Sequence, residues 1–492
     1  MNRPRIILLG IVWLAFALRV YSLGQRTLWY DEAFAILFAS RSFDEMIAGT
    51  LTQIGGAAAD VHPLFYYFSL HTWMAVAGDS AFVVRFYSVF FGIATLPIIF
   101  QLATVLFNRR VGMAAMFVLA LAPFHIAYSQ EARMYAQLGF WSAVSFLGFI
   151  RYARTRRNRW WAIFVLGGAG ALYSHNLAVV SFAALGLWVS FDAIRNRSIK
   201  LWLATGLGGV VILVLWLPWL VIVPSQFSKI SQAYWVPAPT IVTLLQSLLV
   251  FTFDFDNAVA PKILFPIMFF CALVLPALIA LTARRHTSQS LMFATTLVIA
   301  PVIILFAISQ WRPVYVTRAL MPAFLLYVVL IGWMLIIMPR ALRWGSGIAL
   351  LAMVVASLPS YYGYAEFPRS PFSQAAQTLR TAIQPGDVVV HDNKLSYFPM
   401  YYYDRSLSQV FLADPAGIGS DTLALPTQQA LQLFATSLDS ATLGKSHVWL
   451  VIFQNAIDEA QGTHPTVQWM DDHYRRVAIQ RFNDLNVFEY RR

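Results

Sequence analysis

Charged side chains make up only 12% of this 492-residue sequence, about half the share found in soluble globular chains, and that shortage excludes an ordinary soluble protein. Cysteine is nearly missing too. The one thiol, Cys271, lies inside an apolar run, so no intrachain disulfide can form and the redox compartment stays undetermined. No internal repeat, low-complexity tract or Walker-type glycine loop is present, which removes repeat solenoids and P-loop nucleotide enzymes from consideration. What the chain has in abundance is apolar surface: 59% hydrophobic residues and a mean hydropathy of +0.62. It reads as a polytopic α-helical membrane protein. The formal net charge of +12 resides mostly in short basic clusters between apolar runs, where orientation signals belong, so no nucleic-acid partner is expected.

Stretches of roughly 17 to 25 apolar residues can cross about 30 Å of hydrocarbon as helices. Eleven are expected: 6–22, 82–106, 111–127, 134–152, 160–175, 177–194, 201–222, 263–283, 289–309, 318–338 and 346–362. The first follows Arg3 and Arg5 and lacks a small-x-small cleavage site, so it reads as an uncleaved span rather than a removed signal. Basic groups such as Arg109 and Arg110, Arg151 to Arg159, Arg195 to Lys200, Arg284 and Arg285, and Arg340 and Arg343 fall in every second loop. By the positive-inside rule those loops and the N-terminus are cytoplasmic. The acids Asp31, Glu32, Asp44, Glu45, Asp60, Asp79, Glu131, Asp254 and Asp256 gather on the other face. An odd number of spans then leaves the C-terminal region extracytoplasmic, at the inner membrane of the cell.

Two outer segments are too large to be connections. Residues 23–81 form the first loop, with Phe43 to Leu51 spaced as a short amphipathic helix lying in the interface. The region 241–258 reads as a half-buried helix along the same surface. Residues 363–492, distinct from the 1–362 membrane module, read as a soluble α/β domain. Its elements are a helix over 374–383, the turn Gln384-Pro385-Gly386-Asp387, and strands at 388–390, 448–453 and 477–479.

Four polar clusters on the acidic face are candidates for chemistry. Asp31 and Glu32 follow the first span; a carboxylate there can take a proton from an attacking hydroxyl, hold a metal, or cap a loop helix. Tyr128-Ser129-Gln130-Glu131-Ala132-Arg133-Met134-Tyr135 occupies the turn between the third and fourth spans. The fork of Arg133 suits a phosphate, although an exposed Glu-Arg pair of this kind is also an ordinary loop ion pair. His62, ahead of Pro63 and Tyr66, and His175 can each donate to a ligand or fill a polar niche. Arg318, before Pro322, is a second cation at the depth of Arg133, and Arg85 reads as a snorkelling side chain.

Taken together, the first-loop Asp31-Glu32, the His62-Pro63 segment with Tyr66, Ser129 to Tyr135, and Arg318 followed by Pro322 resemble the bacterial glycosyltransferase family 39-like proteins. These are relatives of the dolichyl-phosphate-mannose protein mannosyltransferases and of the aminoarabinose transferases. The resemblance implies a GT-C type fold and inverting transfer of a sugar from a polyprenyl-phosphate donor. It implies Asp31 as catalytic base, Glu32 and Glu131 as accompanying catalytic acids, and Arg133, Arg318 and Tyr135 around the donor phosphate. His62, Tyr66, Tyr128 and His175 are then expected on substrate. The acceptor, whether glycan, lipid or protein, is left open, and no cofactor is required, although a divalent metal remains compatible with the acids. The rival readings are a lipid-linked glycan ligase and a transporter or flippase. A transporter should carry charge near the midplane and paired broken helices in two related halves, and neither pattern is visible.

Overall fold

The computed structural model describes residues 3–232, 236–253, 265–286, 288–414 and 422–492. Asp254 and Asp256, the start of the eighth expected span at 263–264, and the side chain of Cys271 lie outside the described residues. Each of the eleven apolar stretches contains a helix. In chain order these are α1 (Arg3–Val20), then, after the first-loop elements α2 (Tyr30–Ala39), α3 (Phe43–Leu51), β1 (Gln53–Ile54), β2 (Ala57–Ala58) and α4 (Leu64–Ala77), the long α5 (Ala81–Leu106). There follow α6 (Arg109–Leu121), α7 (Pro123–Ser129), α8 (Tyr135–Thr155), α9 (Asn158–Ser174), α10 (Ala178–Asn196), α11 (Ile199–Leu220), the short α12 (Val223–Gln232) and α13 (Ile241–Phe253), α14 (Phe265–Ala283), α15 (Gln289–Trp311), a 3-10 turn (Thr317–Leu320) running into α16 (Met321–Ile337), and α17 (Arg340–Gly363). Among the described residues six of these helices are long and apolar enough to cross a membrane, and the pair α6 and α7 makes a seventh if counted as one broken span.

That break shapes the molecule. The helix turns by 60° at Ala122-Pro123, because proline cannot continue the hydrogen-bond ladder, and the last carbonyls of α6 lose their partners in a setting without water. Arg19, fully buried in α1, supplies them: its guanidinium donates to the carbonyls of Leu119 and Ala120, each at 3.0 Å, and contacts His125 Nδ1 at 2.7 Å. Elsewhere small residues let helices approach closely. A Cβ on Gly148 of α8 would sit 2.5 Å from the Phe164 backbone nitrogen of α9, so only glycine admits this contact.

The C-terminal region continues with α18 (Phe372–Ala382), β3 (Val388–His391), α19 (Lys394–Tyr403), β4 (Gln409–Leu412), α20 (Leu425–Leu431), β5 (Ala435–Thr436), α21 (Leu438–Thr442), β6 (His447–Phe453), α22 (Gln454–Glu459), α23 (Pro465–His473), β7 (Arg475–Phe482) and β8 (Leu485–Arg491). The strands form one sheet in the order β5-β4-β3-β6-β8-β7, with β3 parallel to both β4 and β6 and the last two strands antiparallel. Alternate residues of the central strands enter opposite cores. Val389, Trp449 and Val451 pack with α18 and α19, while Val388, Val390 and Leu450 pack toward α21 and α23. Burial on both faces is why these strands read as continuous apolar runs.

This domain sits on the first loop. α19 packs against α2, with the Tyr30 and Phe398 rings 5.5 Å apart. Helix α3 forms as expected, behind a capping box of Ser42 and Glu45. It also carries a protein neighbour: α20 lies against it, and Thr427 donates to the Gly49 carbonyl at 2.8 Å.

Candidate functional site

Asp31 and Glu32 occupy the first turn of α2, behind an extended Trp29, where carboxylates favour the positive end of the helix dipole. Consecutive helical residues point about 100° apart, and here that rotation separates two environments. Glu32 is fully buried. Its Oε2 lies 2.7 Å from Nη2 of Arg85 and 2.7 Å from Nη1 of Arg369, and its Oε1 accepts from Arg85 Nε at 2.8 Å and the Ala132 amide at 3.0 Å. Burial alone would raise its pKa, but the two guanidiniums, with help from the amide, hold the carboxyl well below its usual range. Arg85 therefore does not snorkel: it is 1% exposed and locked to Glu32 and to the carbonyls of Leu23, Arg26 and Thr27.

Asp31 faces open space instead. Its Oδ2 stands 3.8 Å from Arg133 Nε and 3.8 Å from Arg318 Nη2, and its side chain is 16% exposed. At 3.8 Å the charges attract without the tight hydrogen bonds that fix Glu32. Arg133 reaches this position from the irregular stretch between α7 and α8, which the Ala132–Glu32 bond ties to α2. Its Nη2 donates to His62 Nε2 at 3.2 Å, and His62 Nδ1 lies 2.9 Å from Asp60 Oδ1. An arginine can only donate, so these contacts assign His62 the Nδ1–H tautomer, donating to Asp60. Burial would raise the Asp60 carboxyl, but His62, the Val61 amide and Arg133 bring it down to about 2. Arg318 enters from the 3-10 turn with its guanidinium 5.4 Å over the Tyr135 ring.

These groups line a cavity of about 500 Å³ whose polar wall includes Asp31, His62, Arg133, Tyr135, His175 and Arg318. The remaining wall is largely apolar, from Val179 and Val180 of α10 to Ile308 of α15, with Phe367 and Phe453 contributed by the C-terminal domain. A smaller cavity of about 140 Å³ adjoins it. It shares Tyr30, Asp31, Val61, His62 and Arg133 with the large one and adds Asp60, Lys229 and Lys394.

Of the ten residues singled out in the sequence, six therefore share one cavity wall. The other four do not line either cavity. Glu32 is sealed by its partners. Glu131 is 2% exposed, and its Oε1 has no hydrogen-bond partner among the described residues. Burial, opposed by Arg369 and Arg318 and reinforced by Glu32 and Asp31, pushes its carboxyl up to about 7. Tyr66 is buried in an aromatic cluster with Tyr67 and Tyr87, and Tyr128 packs between Phe124 and Tyr135. Both were expected on substrate; their rings belong to the packed core. Sequence reading passed over Asp60 as one acid among many, and it missed Arg369, Lys229 and Lys394 altogether. No local motif marks them; only the docking of the C-terminal domain and α12 brings them in. Among the described residues no group of three or more His, Cys, Asp or Glu side chains is placed to hold a metal ion.

Comparison with known proteins fits this architecture. Residues 61–222 match the family model described as Dolichyl-phosphate-mannose-protein mannosyltransferase. No curated protein matches the sequence. Among solved structures, ArnT from Cupriavidus metallidurans in the apo state superposes over 99% of this chain and 98% of its own, with a TM-score of 0.68 and 13% identity. The same protein bound to undecaprenyl phosphate covers 98% of this chain and 97% of its own at TM-score 0.61 and 13% identity. Arabinofuranosyltransferase AftD from Mycobacteria covers 99% of this chain and 40% of its own at TM-score 0.56 and 13% identity. The chain has the fold of the GT-C membrane glycosyltransferases, with a small C-terminal sheet domain.

Proposed function

We propose that this chain is an inverting glycosyltransferase that moves a sugar from a polyprenyl-phosphate donor to an acceptor hydroxyl at the outer face of the cytoplasmic membrane. The observation that carries the reading is the Asp31 carboxylate, 3.8 Å from both Arg133 and Arg318 in the wall of a largely apolar cavity. A polyprenyl carrier is too apolar to leave the bilayer, so its phosphate must be met by cations at a lipid-accessible boundary. The matched family model and the ArnT complex with undecaprenyl phosphate support that donor class. The alternation of basic loops supports the orientation, with the N-terminus cytoplasmic and the C-terminal domain outside.

In this mechanism the donor phosphate lies between Arg133 and Arg318, drawing both guanidiniums away from Asp31. The freed carboxylate then accepts the proton of the acceptor hydroxyl. The acceptor oxygen bonds to the anomeric carbon as the bond from that carbon to the phosphate oxygen breaks. The polyprenyl phosphate leaves with the electron pair, its growing charge stabilised by the arginines. The Asp60–His62 pair is a positioning device: by presenting Nε2 as an acceptor it orients Arg133. Glu32 is likewise a positioning residue, holding α2 to Arg85, Arg369 and the Ala132 amide.

The decisive test compares cell-envelope glycans and lipids by mass spectrometry with and without the protein, then reconstitutes the missing linkage with purified enzyme. The product sugar should have the anomeric configuration opposite to that of the donor. Retention of configuration would overturn the single-displacement mechanism, and an unchanged envelope together with no turnover would overturn the activity.

A further inference from the structure

Resting on that reading, the grip of Arg133 on the donor phosphate depends on where the Asp60–His62 pair stands. Residues 59–63 carry that pair and belong to no helix or strand, lying between β2 and α4. Their amides are anchored on one side, Ala59 to the Thr52 carbonyl at 3.1 Å and Asp60 to the Thr50 carbonyl at 3.2 Å. Their carbonyls are held from the other side by side-chain amides. Asn176, in the turn between α9 and α10, donates from Nδ2 to the Val61 carbonyl at 2.9 Å, and Gln226 of α12 donates from Nε2 to the Asp60 carbonyl at 3.3 Å. Asn176 Nδ2 also donates to Gln226 Oε1 at 2.9 Å, and its Oδ1 accepts from Trp219 Nε1 of α11 at 2.8 Å.

These bonds run in one direction. An indole N–H can only donate, so Trp219 fixes which end of the Asn176 amide is oxygen. Both Nδ2 hydrogens then point to Val61 and Gln226, Gln226 accepts at Oε1, and its Nε2 is left to donate to Asp60. A second chain arrives from the other side: Arg133 donates to His62, and His62 donates to the Asp60 carboxylate. Asp60 is the meeting point, its carbonyl closing the chain from Trp219 and its carboxylate closing the chain from Arg133. Trp219 and Gln226 are buried, where a bond left unmade is most costly. We infer that Asn176 and Gln226 are positioning residues for donor binding: by clamping the Asp60-Val61 backbone they hold the carboxylate that fixes the His62 ring, and so set the reach of Arg133 toward the donor phosphate. The transfer step is the one written above, and neither amide takes part in it.

The test uses full-length protein in nanodiscs, with binding of undecaprenyl phosphate followed by tryptophan fluorescence. Asn176→Ala should weaken that binding by about three- to tenfold, the equivalent of one neutral hydrogen bond. Both amides also border the large cavity, so direct contact with the donor has to be told apart from action through His62. In a His62→Ala background the Asn176 effect should shrink to within about twofold, because residues that act through a shared partner are not additive. In an Arg318→Ala background it should persist in full. Gln226→Met keeps the side-chain length and loses the donor to Asp60; it should behave in the same way, and it carries the test if Asn176→Ala does not fold. Nitrogen-15 NMR of the His62 ring at pH 8 without ligand gives a second readout. The wild type should hold the Nδ1–H form, and either variant should show both tautomers. Unchanged affinity in the folded variants, a full effect in the His62→Ala background, or a His62 ring that keeps one tautomer in them overturns the assignment. Failure of undecaprenyl phosphate to bind the wild-type protein overturns the donor reading instead, and the His62 ring signal then decides the positioning role by itself.

Discussion

Asp31 and Glu32 are neighbours on one helical turn, yet they belong to regions built on opposite principles. Around Glu32, two arginines and an amide close to hydrogen-bond distance in a space sealed from solvent. Around Asp31, two arginines stop at 3.8 Å beside a cavity. The first arrangement spends its electrostatics on holding parts together; the second keeps its electrostatics available to a ligand. Density of charge is therefore the same sign of two different things, and it is the slack in the pairing beside open volume that makes Asp31 the candidate.

The contrast fails if the two acids behave alike. Asp31→Asn should lower transfer by about 10²- to 10⁴-fold, the range of a positioned base, with folding and donor affinity kept; turnover retained in a purified assay removes Asp31 from that role. Glu32→Ala leaves Arg85 and Arg369 buried without their carboxylate. It should destabilise the fold by about 3–5 kcal/mol, read as a loss of folded yield and thermal midpoint. A stable Glu32 variant with a purely kinetic defect would put both acids in the chemistry.

Arg133→Ala and Arg318→Ala sharpen the cavity side. Each should weaken undecaprenyl phosphate binding by about 10- to 100-fold, the equivalent of one charged hydrogen bond, and unchanged affinity rejects the phosphate role of the residue concerned. The last effect is a pH dependence and concerns Glu131. Its carboxyl is raised to about 7 in the folded protein and ionises near pH 4 in the unfolded chain. Below about pH 4 both states are protonated. As pH rises from there to 7 the unfolded state loses its proton first, so the stability that Glu131 contributes at low pH is lost across that window. Glu131→Gln should match the wild-type thermal midpoint at pH 4 and exceed it at pH 8; a wild-type advantage at pH 8 would assign Glu131 a stabilising charged partner.

The helical framework was legible because hydrophobic length is a local signal: each of the eleven apolar stretches holds a helix. So were α3, from its helical spacing, and β3 and β6 of the C-terminal sheet. Strands β4, β5 and β8 were not, since two or four residues, or a strand reading Leu-Asn-Val-Phe-Glu-Tyr, carry too little pattern to stand apart from loops. Asp31, Arg133 and Arg318, which line the large cavity, stood out because charge is rare in such a chain. The fate of Glu32 was hidden because it depends on Arg369, 337 positions away. Tyr66 and Tyr128 misled because an aromatic ring beside a polar motif looks the same whether it faces a cavity or the core.

The Glu32–Arg369 bond also has a consequence in time. A polypeptide emerging from the ribosome makes the acids of α2 early, but the second guanidinium that pins that helix arrives only with Arg369. Until then α2 lacks one of its fastenings, and the wall it forms with the cavity is completed only when the C-terminal domain has been made.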